Sequence, residues 1–139
     1  RFPRSDRAGT TAFVRALPGA APQSLHQYWD GKLDRAGDAA AGAAATAAAV
    51  RVRWPRAALR ELVEGPADSL RFRAWMDEGL PLARSHVYVG PALDAATTGD
   101  EAPALGVAYE AAARGLCERR MAVSGFRVAA TLRAALGGV

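Results

Sequence analysis

The most regular alternation of apolar and polar positions lies at the C-terminal end. From Leu105 to Leu136, Tyr109, Ala112, Leu116, Val123 and Ala130 recur at helical spacing, which predicts a long packing helix over residues 105–136. Ser124-Gly125 within it reads as a point of close approach to a neighbour. At the other end, "TAFVRAL" sits between turn formers, Gly9 before it and Pro18-Gly19 after it, so residues 1–20 read as a loop with one short strand or hairpin. Pro22 and Ser24 then make a helix start and N-cap for residues 21–35, which carry Leu25, His26, Trp29, Asp30 and Leu33.

The middle is less regular. Residues 36–49 are mostly alanine, with Gly37, Asp38, Gly42 and Thr46 among them, compatible with a helix or with a mobile connection. Residues 54–88 read as helices. One follows Trp54-Pro55, puts Leu59, Leu62 and Val63 on one side and ends at Gly65-Pro66; the next runs from about Ser69 to Tyr88 and bends near Gly79 and Pro81. Residues 90–104, with two prolines and two glycines, read as a loop. The fold class expected is mostly all-α with a short strand or hairpin near the N-terminus. A chain of 139 residues supports one core, so residues 1–139 are expected to form a single domain or part of one.

Composition sharpens this picture at few points. Hydrophobic residues make up 50% and aromatic ones only 7%, so helices are expected to pack through small side chains. The net charge of +4 comes almost wholly from arginine, Lys32 being the sole lysine. Arginine forks suit phosphate, yet they are scattered, and solvated helix faces explain most of them better. Arg7, Arg15 and the other basic residues near the candidate chemistry could steer an anionic backbone, with solubility the expected role of most of them. Trp29, Trp54 and Trp75 read as core residues, with base stacking as the other reading. Cys117 stands alone, which excludes an intrachain disulfide and a thiolate zinc site, and reads as a small buried side chain. No apolar run is long enough to span a membrane. The chain begins at Arg1, not methionine, which reads as a processed or truncated start.

The candidate chemistry is in "SLHQYWD", Ser24 to Asp30. One of only two histidines, His26, stands four residues before Asp30, so on a helix the imidazole and the carboxylate share a face. Both are zinc ligands by type, and a catalytic zinc needs three protein ligands and an open position. The other reading of the pair is a helix-capping or surface ion pair. His86, in "LARSHVYVG", has no carboxylate at metal spacing and reads as structural or surface.

"SLHQYWDGKL" resembles the NLHxxWDxxL motif of the S1/P1 nucleases, zinc-dependent enzymes that prefer single strands and are related to zinc phospholipase C. "SDRAGTTAFVRALPG" resembles that family's GDRGGN loop and the strand after it, and "AYEAAARGLCERRMAVSGFRVAATL" its final helix, which ends in a pattern like AGxRLAxxLN. "AWMDEGLPLARSHVY" is a fainter match to a WxxES segment. The resemblance implies the C-terminal part of a mostly helical phospholipase C/nuclease-type fold. Three zinc ions in a cleft would serve hydrolysis of single-stranded DNA and RNA to 5′-phosphate products. His26 and Asp30 match two ligands of one ion, and Asp6, Arg7, Gly9 and Thr10 fall in the loop that helps to form the substrate pocket.

The family's other ligands come from an N-terminal half, including a histidine-rich helix and a QPLH segment, and none of these is present. Ser5, Ala8 and Thr10 replace two glycines and the asparagine of GDRGGN; a threonine lacks the paired donor and acceptor of an amide. Gly79 stands where serine is usual and Arg133 where asparagine is frequent. Either this is a piece of a longer nuclease, partnered by its missing N-terminal half, or it is a relative that has lost activity. In both cases the chain alone is expected to hold at most one partly liganded zinc and not to cleave phosphodiesters. The resemblance also implies a secreted or periplasmic protein with no membrane insertion. Two alternatives stand beside the nuclease: a zinc phospholipase C-like hydrolase, and a non-catalytic helical binding or structural module.

Overall fold

The computed structural model describes residues 7–32, 39–63, 72–89 and 98–137. It is mostly helical with one small antiparallel hairpin, β1 (Phe13–Val14) and β2 (Gln23–Ser24), in which Phe13 lies opposite Ser24 and Val14 opposite Gln23. The helices are α1 (Leu25–Asp30), α2 (Ala39–Arg53), α3 (Arg60–Val63), α4 (Phe72–Asp77), α5 (Gly79–Leu82) and α6 (Gly106–Ala135). The chain divides into two compact units, one of residues 1–34 and 81–115, the other of residues 35–80 and 116–139.

The first unit is built on the hairpin. Alternation along β1 turns Val14 inward, and with Ala12, Leu25, Tyr28 and Ala113 it forms a core that Trp29, Val87, Leu105 and Tyr109 close at the edge. Residues 103–106 run beside the end of β1, with Arg15 N donating to the Pro103 carbonyl at 2.8 Å and Leu105 N to the Arg15 carbonyl at 2.9 Å. Arg15 itself is committed to the turn: its guanidinium donates to the carbonyls of Ala20 at 2.7 Å and Gly99 at 3.1 Å. It ties two loops together.

In the second unit the alanine-rich stretch is a helix of 15 residues, α2, because alanine has the highest helix propensity and Arg51 and Arg53 suit the negative end of its dipole. It stops before Pro55, whose ring disfavours helical backbone at the preceding residue. Val50, Leu59, Ala122 and Val123 form the core here, with Trp54, Leu62 and Phe126 against it. The bend expected near Gly79 and Pro81 is observed as the break between α4 and α5, and a single π turn, Ala83–Val87, ends the run at Tyr88.

Two details of α6 differ from the periodicity. Ala113 and Ala122 are buried, whereas Ala112 is exposed. Gly125 is exposed, and a Cβ built on it meets no atom within 4 Å, so Ser124-Gly125 is not a close approach among the described residues. Gly65-Pro66, Ser69, the side chain of Val63 and residues 33–35 and 90–97 of the predicted elements lie outside the described residues.

Three half-buried glutamates are bound to α6 or carried by it. Glu61 accepts both Arg119 nitrogens at 3.1 and 2.9 Å, Glu78 accepts Arg127 and Arg120, and Glu110 accepts Lys32 at 2.6 Å. Burial is the largest single influence on each carboxyl and raises its pKa, but hydrogen bonds and charge from these cations together outweigh it, leaving all three below the ordinary value of 4.5. The folded state therefore holds these protons less tightly than the unfolded chain. Its extra stability is complete above pH 4.5 and is lost as pH falls from there through the lower folded-state values. Thermal unfolding followed by circular dichroism is expected to give a Tm that holds from neutral pH to about 5 and drops below about 4.5.

Candidate metal and substrate site

α1 begins where the sequence signals it. Ser24 Oγ accepts from the backbone N of Gln27 at 3.1 Å, and Gln27 Oε1 accepts from the backbone N of Ser24 at 3.1 Å, a reciprocal capping box. Helical periodicity then sends Leu25 and Tyr28 into the core and leaves His26 and Asp30 on the outer face, their side chains 48% and 70% exposed. His26 Nε2 and Asp30 Oδ2 stand 3.1 Å apart. The structure thus brings together the pair that the spacing predicts.

The loop before β1 reaches the same helix. Arg7, Ala8 and Gly9 are successive left-handed residues, with φ of 52°, 59° and 84°. Glycine is required at the third: a Cβ on Gly9 would lie 3.2 Å from the backbone N of His26 and 3.4 Å from Leu25 Cβ, besides adopting a strained φ. That close approach lets the Gly9 carbonyl accept from His26 N at 3.3 Å and sets the Ala8 carbonyl 3.2 Å from His26 Nδ1. Ala8, which differs from the glycine of the GDRGGN pattern, therefore acts through its backbone, and no side-chain signal marks it. Thr10 Oγ1 donates to the Arg7 carbonyl at 3.0 Å and closes its own turn. Of the loop residues singled out, Arg7 and Thr10 are exposed and Gly9 is buried; Asp6 lies outside the described residues.

His26 and Asp30 border a shallow concavity of about 200 Å³ that Ala8, Gly9, Trp29, Val87 and Tyr88 complete. Trp29 is thus both at the edge of the core and beside the site. Trp54 packs in the second unit, and Trp75 stacks edge-on against Phe72. His86 accepts from or donates to Ser85 Oγ at 2.7 Å through Nδ1 and, among the described residues, belongs to no group of three or more His, Cys, Asp or Glu that could hold a metal.

The donor pair suits zinc. With metal–ligand bonds of about 2.0–2.1 Å, the two donors of a tetrahedral ion stand about 3.3 Å apart, and the observed separation is 3.1 Å. A protonated Nδ1 facing a backbone carbonyl is also the arrangement that orients a metal-bound imidazole and directs the Nε2 lone pair outward. Facing a carboxylate oxygen, that lone pair is satisfied by a shared proton or by a cation bound to both. Among the described residues no group of three or more His, Cys, Asp or Glu is placed to hold a metal.

These features define a mostly helical protein that presents a histidine–aspartate pair on a capped helix beside a glycine-supported loop. The family model described as S1/P1 Nuclease matches residues 3–137, and the chain belongs to that family. Members are nucleases, hydrolases acting on nucleic acid, and the family uses zinc. No curated protein and no solved structure matches the chain. Among the described residues, no helix is long and apolar enough to cross a membrane.

Proposed function

We propose that this chain supplies one zinc-binding edge of a nuclease that hydrolyses single-stranded DNA and RNA to 5′-phosphate products, and that it does not cleave them on its own. The observation that supports the reading is the His26–Asp30 pair: two zinc-type donors at the bite of one ion, with Nδ1 already engaged by a backbone carbonyl. Zinc held there would supply Lewis-acid stabilisation of the phosphate oxygens and a lowered pKa for a coordinated water. His26 and Asp30 would hold the ion, and the Ala8 carbonyl, 3.2 Å from Nδ1, orients the ring.

Asp6, Arg7, Gly9 and Thr10 would serve the substrate side, with the Arg7 guanidinium available to a phosphate. The third ligand and the remaining zinc ions then come from a further segment of the same nuclease domain. A secreted or periplasmic location belongs to this reading through the family.

Zinc titrated into the wild type beside His26→Ala, with no chelator present, tests the reading. Weak, saturable zinc binding by the wild type and its loss on the substitution is the expected result, with neither chain cleaving single-stranded DNA. Zinc bound by neither chain would leave His26 and Asp30 as an exposed ion pair of a non-catalytic helical module. Robust zinc-dependent cleavage by the isolated chain would overturn the proposed inactivity.

A further inference from the structure

A helix of six residues has little stability of its own, so the direction in which α1 points His26 and Asp30 must come from what holds its two ends. The N-terminal end is fixed by the capping box, by the Gly9 loop and by Leu25 N, which donates to the Ala12 carbonyl at 2.7 Å. The C-terminal end, which carries Asp30, is fixed differently. Tyr28 Oη and Lys32 Nζ both donate to Glu110 Oε2, at 2.5 and 2.6 Å. The Lys32 ammonium lies 3.4 Å above the centre of the Tyr28 ring, and its side chain is only 9% exposed. Beside them, Trp29 Nε1 donates to Tyr109 Oη at 3.1 Å, and Tyr109 Oη donates to the Val87 carbonyl at 2.7 Å.

Residues 28, 29 and 32 therefore flank Asp30 on both sides, and all three are held by the first turn of α6. Glu110 is the hub: it binds residues both before and after Asp30. Only a carboxylate can take the tyrosine hydroxyl and the lysine ammonium on one oxygen while leaving the other toward Arg114, whose nitrogen is 3.9 Å from Oε1. A buried lysine makes this a rigid contact, since an ammonium without its carboxylate would be strongly disfavoured there.

We propose that Glu110 is a positioning residue for the metal-binding pair, clamping the C-terminal end of α1 through Tyr28 and Lys32 so that Asp30 stays at zinc distance from His26. The proposal rests on the zinc reading of that pair. It touches neither His26 nor Asp30, so its effect must appear as a change in zinc affinity at an unchanged set of ligands.

The test is a titration of the full 139-residue chain with zinc alone, read from the His26 ring resonances by NMR at a temperature where every variant is folded. The wild type should show a saturable shift. Glu110→Gln should move the midpoint to roughly tenfold higher zinc, the size of effect seen when groups that orient metal ligands are removed. Glu61→Gln, which weakens a comparable glutamate–arginine pair in the other unit, should leave the midpoint within about twofold of the wild type. A purely structural role would lower the Tm of Glu110→Gln without moving the zinc midpoint at a temperature where the variant is folded, so no weakening in Glu110→Gln, or equal weakening in Glu61→Gln, overturns the proposal. Should Glu110→Gln fail to fold, Lys32→Met removes the other half of the clamp at similar volume, and the same shift is expected. A wild-type His26 that does not respond to zinc at all is a separate result: it removes the zinc reading itself, and the positioning role with it.

Discussion

Glu78→Ala is expected to cost about 3 kcal/mol of stability in the unit formed by residues 35–80 and 116–139. Arg127 is 7% exposed, and Glu78 holds both of its terminal nitrogens, at 2.6 and 3.0 Å, while also accepting Arg120 at 2.8 Å. The guanidinium lies 4.9 Å from the centre of the Trp75 ring, so its flat face is covered as well as its edge. Removing the carboxylate strands a buried cation that cannot lose its charge, the case in which breaking an ion pair is most damaging. Glu78 itself is 30% exposed, which lets some water reach the vacated site and places the figure at the low end of the range for buried pairs. Denaturant unfolding, followed by amide exchange of residues 116–135, measures it. The double substitution Glu78→Met/Arg127→Met should recover much of the loss; a single-variant loss within about 0.5 kcal/mol would mean that the pair is effectively solvated.

In the other unit the largest effect belongs to Tyr28. Its side chain is 1% exposed at the centre of the core, with ring centroids 6.4 Å from Trp29 and 5.8 Å from Tyr109. Tyr28→Ala is expected to cost about 4 kcal/mol, in the range for emptying a buried aromatic site. The alanine also uncovers the Lys32 ammonium and takes one donor from Glu110. Tyr28→Phe keeps the ring and loses only the hydroxyl, for about 1–2 kcal/mol, because the lost bond is to a charged acceptor. Denaturant unfolding with near-ultraviolet circular dichroism separates the two terms. Equal losses in both variants would mean that the hydroxyl, not the ring, carries the stability.

The candidate site was readable in the sequence to the extent that it is local. Pro22 and Ser24 give the helix start, and the four-residue step from His26 to Asp30 sets both on one face whatever surrounds them. What supports that face was not readable. The Ala8 carbonyl that meets His26 belongs to a residue with no polar side chain, 18 positions away. Glu110 is 82 positions from Tyr28, and no spacing or motif links the two. Lys32, the sole lysine, stood out by composition, yet nothing in its neighbours announced that it is buried.

The sequence by itself determined the mostly helical class, the cap and direction of α1, the break at Gly79-Pro81, the long α6 and the family. Each of these follows from propensity, from spacing of three or four residues, or from a motif, all of which act between near neighbours in the chain. The tertiary structure decided which alanines of α6 are buried, which arginines are paired and which is tied to loop carbonyls, and how the Gly9 loop sets the His26 ring. Those outcomes depend on contacts between distant segments. In a chain rich in alanine and arginine many such pairings look alike in sequence, and only the packed arrangement selects among them.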